Sequence, residues 1–187
     1  MKNLKMSAIA LISIISFSSC SSDDAVTPVN EEEVITTVRV DFMPDGGGSV
    51  ITFKSTDYDG DGPDAPVISG GGNFTPGKVY SGHVTFLNEL ANPMENITAE
   101  VQQEGDQHQL FYQQSGLGTF EYDDEDVNGN PIGLAFTYTA SPTPVTGTLT
   151  ITLRHEPNKT APGVAVGNIT SAGGSTDAEV SFPVTVQ

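Results

Sequence analysis

Hydrophobic and polar residues alternate along most of this chain from residue 34 onward, which is the period-two pattern of β-strands. The first such stretch places Val34, Thr36, Val38 and Val40 on one face of a strand, and a glycine-rich turn at 45–48 precedes a returning strand. Further strands are predicted at about residues 65–69, 79–88, 108–114, 118–123, 132–140, 146–155 and 178–186. Many short strands separated by Gly and Pro favour a mostly β fold, an antiparallel β-sandwich of the immunoglobulin-like or jelly-roll-like kind.

One segment has helical spacing instead of alternation. Asn92 is a typical N-cap residue, Pro93 suits the first helical position, and Glu95 completes a capping-box arrangement. Apolar residues then recur at helical spacing, namely Met94, Ile97 and Val101. The pattern therefore predicts one short helix over residues 93–104, lying across the sandwich.

The N-terminal segment has a different composition from the rest of the chain. Lys2 and Lys5 precede a short apolar run, too short to span a bilayer, and small residues then lead into Cys20, the single cysteine. This layout resembles a bacterial lipoprotein signal, in which the cysteine is lipidated and begins the mature chain. We therefore predict a signal peptide at 1–19, an acidic flexible tether at 20–33 and a single β-sandwich domain at 34–187.

The charge of the chain is strongly one-sided. Its 187 residues include 24 acidic and 7 basic side chains, a formal net charge of −17. Nucleic acid is excluded as a partner, because binding it needs a basic face. The residues after Cys20 resemble an acidic surface-export tag, so the resemblance implies an outer-membrane lipoprotein, held by its N-terminal lipid and facing either the periplasm or the cell surface. The acidic residues are clustered, which points to cation binding.

The first acidic cluster has the spacing of a calcium-binding loop. Asp57, Asp59 and Asp61 alternate with other residues before Gly62, and Asp64 could supply a further carboxylate. Strands are predicted on both sides, and the twelfth position is not acidic, so the loop is not an EF-hand. The alternative is a polar hairpin turn, since Asp and Gly are also turn residues.

A second cluster repeats the form Asp-x-Asp-x-Asn-Gly. Its candidate calcium ligands are Asp124, Asp126 and Asn128. Carboxylates that lie close together repel each other unless a cation neutralises them. Because the single cysteine is assigned to lipid, no disulfide is available to the domain, and calcium at the two loops would stabilise long turns.

Histidines provide a third candidate site. His155 ends the apolar face of a predicted strand, and His108 begins another strand, four residues after Glu104. A cluster of Glu104, His108 and His155 would suit zinc or another transition metal. The alternative is that each histidine is simply hydrogen-bonded at the end of its strand.

No catalytic signature is present in the sequence. The nucleophile-elbow, zinc-protease and phosphate-loop patterns are all missing. The chain is therefore interpreted as non-enzymatic, with a carboxylate-based envelope hydrolase as the alternative, because so many acidic residues leave a catalytic pair open.

Several segments together resemble a family of small flavobacterial lipoproteins of uncharacterised function. They are Cys20 to Asp24, residues 31–36, the loop at 57–62, the stretch at 153–159 and the glycine pair at 173–174. Members are sometimes labelled as having a type 1 periplasmic-binding fold, a larger two-lobed α/β architecture, whereas the pattern here favours the sandwich. The leading expectation is a lipid-anchored binding or accessory protein, with an outer-membrane uptake receptor as the partner that the analogy with small surface lipoproteins suggests. The alternative is a lipoprotein that captures a transition metal.

Overall fold

The computed structural model describes residues 34–60 and 62–187, so the predicted signal peptide, Cys20, the tether and Asp61 lie outside the described residues. The described domain consists of two β-sheets, one α-helix and two short 3-10 helices, and the predicted β-sandwich is confirmed. The strands are β1 Thr37–Pro44, β2 Ile51–Thr56, β3 Val67–Gly70, β4 Asn73–Phe74, β5 Val79–Leu87, β6 His108–Gln113, β7 Gly118–Tyr122, β8 Ala135–Ala140, β9 Val145–His155 and β10 Ser175–Val186. The helix α1 is Ile97–Gln103, and the 3-10 helices are Val164–Val166 and Ile169–Ser171.

The two sheets differ in size and in strand direction. The larger sheet has the order β3-β2-β1-β5-β8-β7, and each strand in it runs antiparallel to its neighbours. The smaller sheet has the order β4-β10-β9-β6, in which the short β4 pairs with β10 in parallel. The strand β4, which the sequence pattern did not predict, therefore makes this sheet mixed.

Aromatic side chains fill much of the space between the sheets. Phe42 on β1 is fully buried and makes edge-to-face contacts with Phe74, Phe136 and Tyr138, at centroid distances of 4.9, 5.3 and 5.6 Å. Such contacts stabilise a core beyond the burial of the ring area alone. Alternation of apolar residues on β1, β5 and β8 thus turns one face of the larger sheet toward the smaller one.

The helix is shorter than the sequence predicts and begins later. Residues Asn88 and Glu95 form a β-bridge through two backbone hydrogen bonds of 3.1 Å, so the chain at 92–95 turns back instead of starting a helix. Met94 is 57% exposed, whereas Ile97 and Val101 are buried as expected. The capping role assigned to Asn92 and Pro93 is therefore wrong, and the buried face of α1 was predicted correctly.

A long connection between β9 and β10 packs on the outer face of the smaller sheet. It contains both 3-10 helices, and its Val164 and Ala172 are buried against Phe111 of β6. The side chain of Gln109 joins the same layer, because its amide donates a hydrogen bond of 2.9 Å to the carbonyl oxygen of Val164. This connection therefore covers the outer face of β6 around Gln109 and Phe111.

Candidate metal centre

Two histidines meet directly across neighbouring strands. His108 opens β6, His155 closes β9, and the antiparallel register pairs them with each other. Directly opposed residues share one face of the sheet, here the face that also carries the buried Leu110 and Leu153. Nε2 of His108 lies 3.0 Å from Nδ1 of His155, and the rings are 4.8 Å apart between centroids. The structure thus brings together the two histidines that the sequence named as candidate ligands, and it also shows them hydrogen-bonded at the ends of their strands, so a metal at this pair stays a prediction.

The carboxylate of Asp177, on strand β10, lies beside the two histidines. The pairing of β10 with β9 shifts register between Thr176 and Ala178, which leaves Asp177 as the extra residue of a β-bulge. Bulges redirect side chains and are common beside functional sites. Oδ2 of Asp177 lies 3.7 Å from Nε2 of His108 and 3.8 Å from Nδ1 of His155. Among the residues that the structure describes, these three form the one converging group of metal-ligating side chains.

Glu104 contacts His108 through its backbone and not through its carboxylate, as the sequence had suggested it would. Its side chain is exposed, and its backbone carbonyl oxygen lies 3.0 Å from Nδ1 of His108. A carbonyl oxygen can only accept, so this contact assigns the proton to Nδ1 and leaves the lone pair on Nε2. Metal-binding histidines are commonly oriented by such a bond on the second ring nitrogen. Asp177 occupies the place that the sequence interpretation gave to the Glu104 carboxylate.

Burial keeps the His108 ring in the form that a metal requires. The side chains of His108, His155 and Asp177 are 0%, 9% and 7% exposed. Burial lowers the pKa of His108, and the neighbouring His155 lowers it further, whereas the hydrogen bond to Glu104 acts in the opposite direction. Neutral imidazole is the form that coordinates a metal, so the burial of His108 favours the form of the ring that can act as a ligand.

The dimensions of the group fit a small transition-metal ion. Tetrahedral zinc, with bonds of about 2.0–2.1 Å, holds its ligand atoms about 3.3–3.4 Å apart. The three separations here, 3.0, 3.7 and 3.8 Å, lie on either side of that value. Two imidazole nitrogens and one carboxylate oxygen suit zinc, copper, nickel or iron better than calcium or magnesium, which prefer oxygen alone. An ion would replace the hydrogen bond that His155 Nδ1 donates to His108 Nε2.

The first acidic loop connects β2 to β3, which are antiparallel neighbours. Oδ1 of Asp57 accepts hydrogen bonds from the amides of Asp59 and Gly60, at 3.2 and 2.9 Å, and Oδ2 of Asp59 accepts one from the amide of Asp64 at 3.1 Å. These contacts are those of a hairpin turn, the alternative named above. Calcium at this loop stays a prediction, because Asp61 lies outside the described residues.

The second acidic loop, between β7 and β8, uses its carboxylates within the protein. The two oxygens of Asp124 accept hydrogen bonds from three successive amides, at 2.7, 2.9 and 3.0 Å. Oδ1 of Asp126 accepts from the amides of Asn128 and Asn130, and Oδ2 lies 3.0 Å from Nζ of Lys159. Calcium here stays a prediction as well, and the structure gives Asp126 a buried ammonium as its cation.

Burial and hydrogen bonding compete over the charge of this pair. Burial raises the pKa of Asp126, but the amides of Asn130 and Asn128 and the Lys159 ammonium together lower it below its usual value. Burial lowers the pKa of Lys159, and Asp126 opposes that change. Lys159 also donates to the carbonyl oxygens of Gly105 and Pro131. Its ammonium thus links the loop at 123–134 to the turn that follows α1, next to Glu104 and His108.

Gly174 permits the close approach that places β10 beside His155. Its φ is +71°, and a Cβ added there would lie 2.1 Å from the carbonyl oxygen of His155. Gly174→Ala is therefore expected to lower the free energy of unfolding by about 2–4 kcal/mol, the sum of the left-handed backbone cost and the steric overlap. Denaturant unfolding measures the change. Gly173→Ala is the matched control, because Gly173 has a φ of +63° and no atom within 4 Å of an added Cβ. Equal losses in the two variants would contradict this assignment.

The described part of the chain contains no helix long and apolar enough to cross a membrane. No protein-family model matches the sequence, and neither a curated protein nor a solved structure shows detectable similarity to it.

Proposed function

We propose that this protein binds one divalent transition-metal ion through His108, His155 and Asp177, as a lipid-anchored protein of the cell envelope. The observation that carries the proposal is the convergence of two imidazole nitrogens and one carboxylate oxygen within 3.8 Å at the ends of β6 and β9 and the start of β10. The signal-like segment that ends at Cys20 supports the location, and the role is capture of the metal rather than catalysis.

The arrangement of the ligands supports reversible capture. Structural zinc sites are closed by four protein ligands, whereas three protein ligands leave one coordination position for water or an exchanging group. The three side chains come from three different strands, the carbonyl oxygen of Glu104 orients the His108 ring, and His108 in turn contacts His155, so the group is assembled before a metal arrives. A preformed site loses less entropy on binding. Zinc is the ion used in the tests below because it has no redox chemistry to complicate them.

Zinc titration of the purified chain by calorimetry tests the proposal. One ion is expected to bind per chain, and His108→Ala or His155→Ala is expected to weaken binding by at least about 100-fold, because each removes a direct ligand rather than an outer-shell partner. His83→Ala is the matched control, since His83 lies mid-strand on β5 with a side chain 55% exposed. Zinc binding that survives loss of His108 or His155 would refute the proposal.

A further inference from the structure

A slot lies between the two sheets on the side where each of them ends. β6 is the last strand of the smaller sheet there, and β7 is the last strand of the larger one. The cavity between them, called the edge slot below, has a volume of about 230 Å³, and its lining includes Tyr112, Gln114, Phe120, Tyr122 and Val166. None of its lining residues is charged, although the chain has a formal net charge of −17. The edge slot is therefore a neutral, largely aromatic opening in an acidic protein.

The main chain of β7 turns unpaired groups toward the edge slot. Leu117 and Asp123, at either end of this strand, each form a backbone hydrogen bond on the β8 side. Because paired and unpaired residues alternate along the edge of an antiparallel ladder, the backbone groups of Phe120 and Tyr122 point away from β8. The carbonyl oxygen of Gly118 shows the same direction, since it accepts a hydrogen bond from a glutamine side chain across the slot. The described residues provide no hydrogen-bond partner for the backbone groups of Phe120 and Tyr122.

The main chain of β6 faces the edge slot from the opposite side. The amide of Leu110 donates to the carbonyl oxygen of Ile132, and the carbonyl oxygen of Leu110 accepts from the Tyr122 hydroxyl, both at 2.7 Å. The backbone of Leu110 therefore points away from β9, and that of Tyr112, two residues later, points the same way. The rings of Tyr112 and Phe120 stack at 4.7 Å between centroids with an angle of 2° between their planes. These rings give the slot an ordered apolar floor between the two strand edges.

This combination fits an extended peptide segment. A peptide that adds a strand to a sheet edge gains affinity from main-chain hydrogen bonds, and its alternate side chains fill the pockets beside that edge. A segment paired with β7 would direct every second side chain onto the floor formed by Tyr112 and Phe120. Exposed acidic residues, Glu121 and Asp123, lie next to the slot. They favour a segment with basic residues at its ends and disfavour a second copy of this acidic chain.

We propose that the edge slot binds an extended peptide segment of another protein, with apolar residues at alternate positions and basic residues at its ends, as an additional strand on β7. The backbone groups of Phe120 and Tyr122 bond to the main chain of the segment, and the stacked rings of Tyr112 and Phe120 contact its apolar side chains. This binding is independent of the proposed metal capture, because no residue that lines the slot belongs to the metal-ligating group.

Amide hydrogen exchange, measured by NMR on the purified chain, tests the proposal at single residues. The probe is a short capped peptide of alternating valine and threonine with a lysine at each end. Saturating peptide is expected to slow exchange of the Phe120 and Tyr122 amides at least about 10-fold, because they gain hydrogen-bond partners. The amides of Thr119 and Glu121 already pair with β8 and are expected to change little. Protection confined to another part of the chain, or no binding at about 1 mM peptide, would overturn the proposal.

Two controls separate strand addition from non-specific association. The same peptide, methylated at its central backbone nitrogens, keeps its side chains but is expected to bind at least about 10-fold more weakly, because it loses main-chain hydrogen bonds. Val166→Arg places a like charge at the slot and is expected to weaken peptide binding about 3–10-fold. Val127→Arg is the matched variant, since Val127 is 91% exposed and does not line the slot.

Equal affinity of the methylated and unmethylated peptides would contradict strand addition. Equal effects of Val166→Arg and Val127→Arg would contradict the location. Protection of the Phe120 and Tyr122 amides by concentrated protein alone, without peptide, would show that a second copy occupies the slot and would overturn the choice of partner.

Discussion

Replacing Lys159 with methionine is expected to lower the free energy of unfolding by about 3–5 kcal/mol, the usual cost of breaking one buried ion pair from one side. The side chains of Lys159 and Asp126 are only 4% and 0% exposed, and their charged atoms lie 3.0 Å apart. The same ammonium donates to the carbonyl oxygens of Gly105 and Pro131. Methionine keeps most of the unbranched apolar part of the side chain but leaves the Asp126 carboxylate and two carbonyl groups without this donor. Urea unfolding monitored by circular dichroism measures the loss.

Two companion variants separate the buried pair from the general effect of losing a lysine. Lys78→Met removes an exposed ammonium and is expected to change stability by no more than about 0.5 kcal/mol. Adding Asp126→Asn to Lys159→Met is expected to restore part of the loss, because it removes the uncompensated carboxylate while its oxygen can still accept from Asn128 and Asn130. A loss below about 1 kcal/mol in Lys159→Met would be inconsistent with a buried pair of this kind.

Saturating zinc is expected to stabilise the domain strongly. Binding to the folded state alone raises the free energy of unfolding by about 4 kcal/mol when the free metal is about 1,000 times its dissociation constant. Thermal or urea unfolding with zinc, and again with excess chelator, measures the difference. The stabilisation is expected to fall below about 1.5 kcal/mol in Asp177→Asn at the same zinc concentration, which corresponds to a site at least 100-fold weaker.

Calcium in place of zinc tests the acidic loops in the same experiment. Calcium prefers oxygen ligands, so the two imidazole nitrogens of His108 and His155 do not suit it. Stabilisation by calcium that persists in Asp177→Asn would support the loops at 57–64 and 124–129 as calcium sites. Stabilisation by zinc that persists in Asp177→Asn would mean that the metal binds away from the histidines.

The strand pattern was accessible from sequence because each strand alternates and is bounded by turn residues. The same alternation placed His155 on the apolar face of its strand, with Leu149, Ile151 and Leu153, and all four are buried as that pattern implies. The partner strand of β9 could not be deduced, because nonlocal pairing leaves no local signal. The two histidines could therefore be suggested as neighbours but not demonstrated.

Asp177, the third member of the candidate metal-ligating group, could not be found from the sequence for a specific physical reason. Asp177 faces the histidines because the register of β10 shifts by one residue, and regular alternation would not indicate that shift. Asp126 illustrates the converse case, since its spacing matches a calcium loop while its carboxylate lies 3.0 Å from the ammonium of a lysine 33 residues away. The signal that could have pointed to that pair was Lys159 itself, one of only 7 basic residues in the chain.

Diffraction from zinc-soaked crystals at the zinc absorption edge locates the ion by its anomalous scattering. We predict one strong anomalous peak about 2.0–2.2 Å from Nε2 of His108, Nδ1 of His155 and Oδ2 of Asp177. The peak is expected to disappear in crystals of His108→Ala and to remain in those of His83→Ala. A zinc-stabilised chain without a peak at these three atoms, or with its peak at the acidic loops instead, would contradict the assignment of the metal to this site.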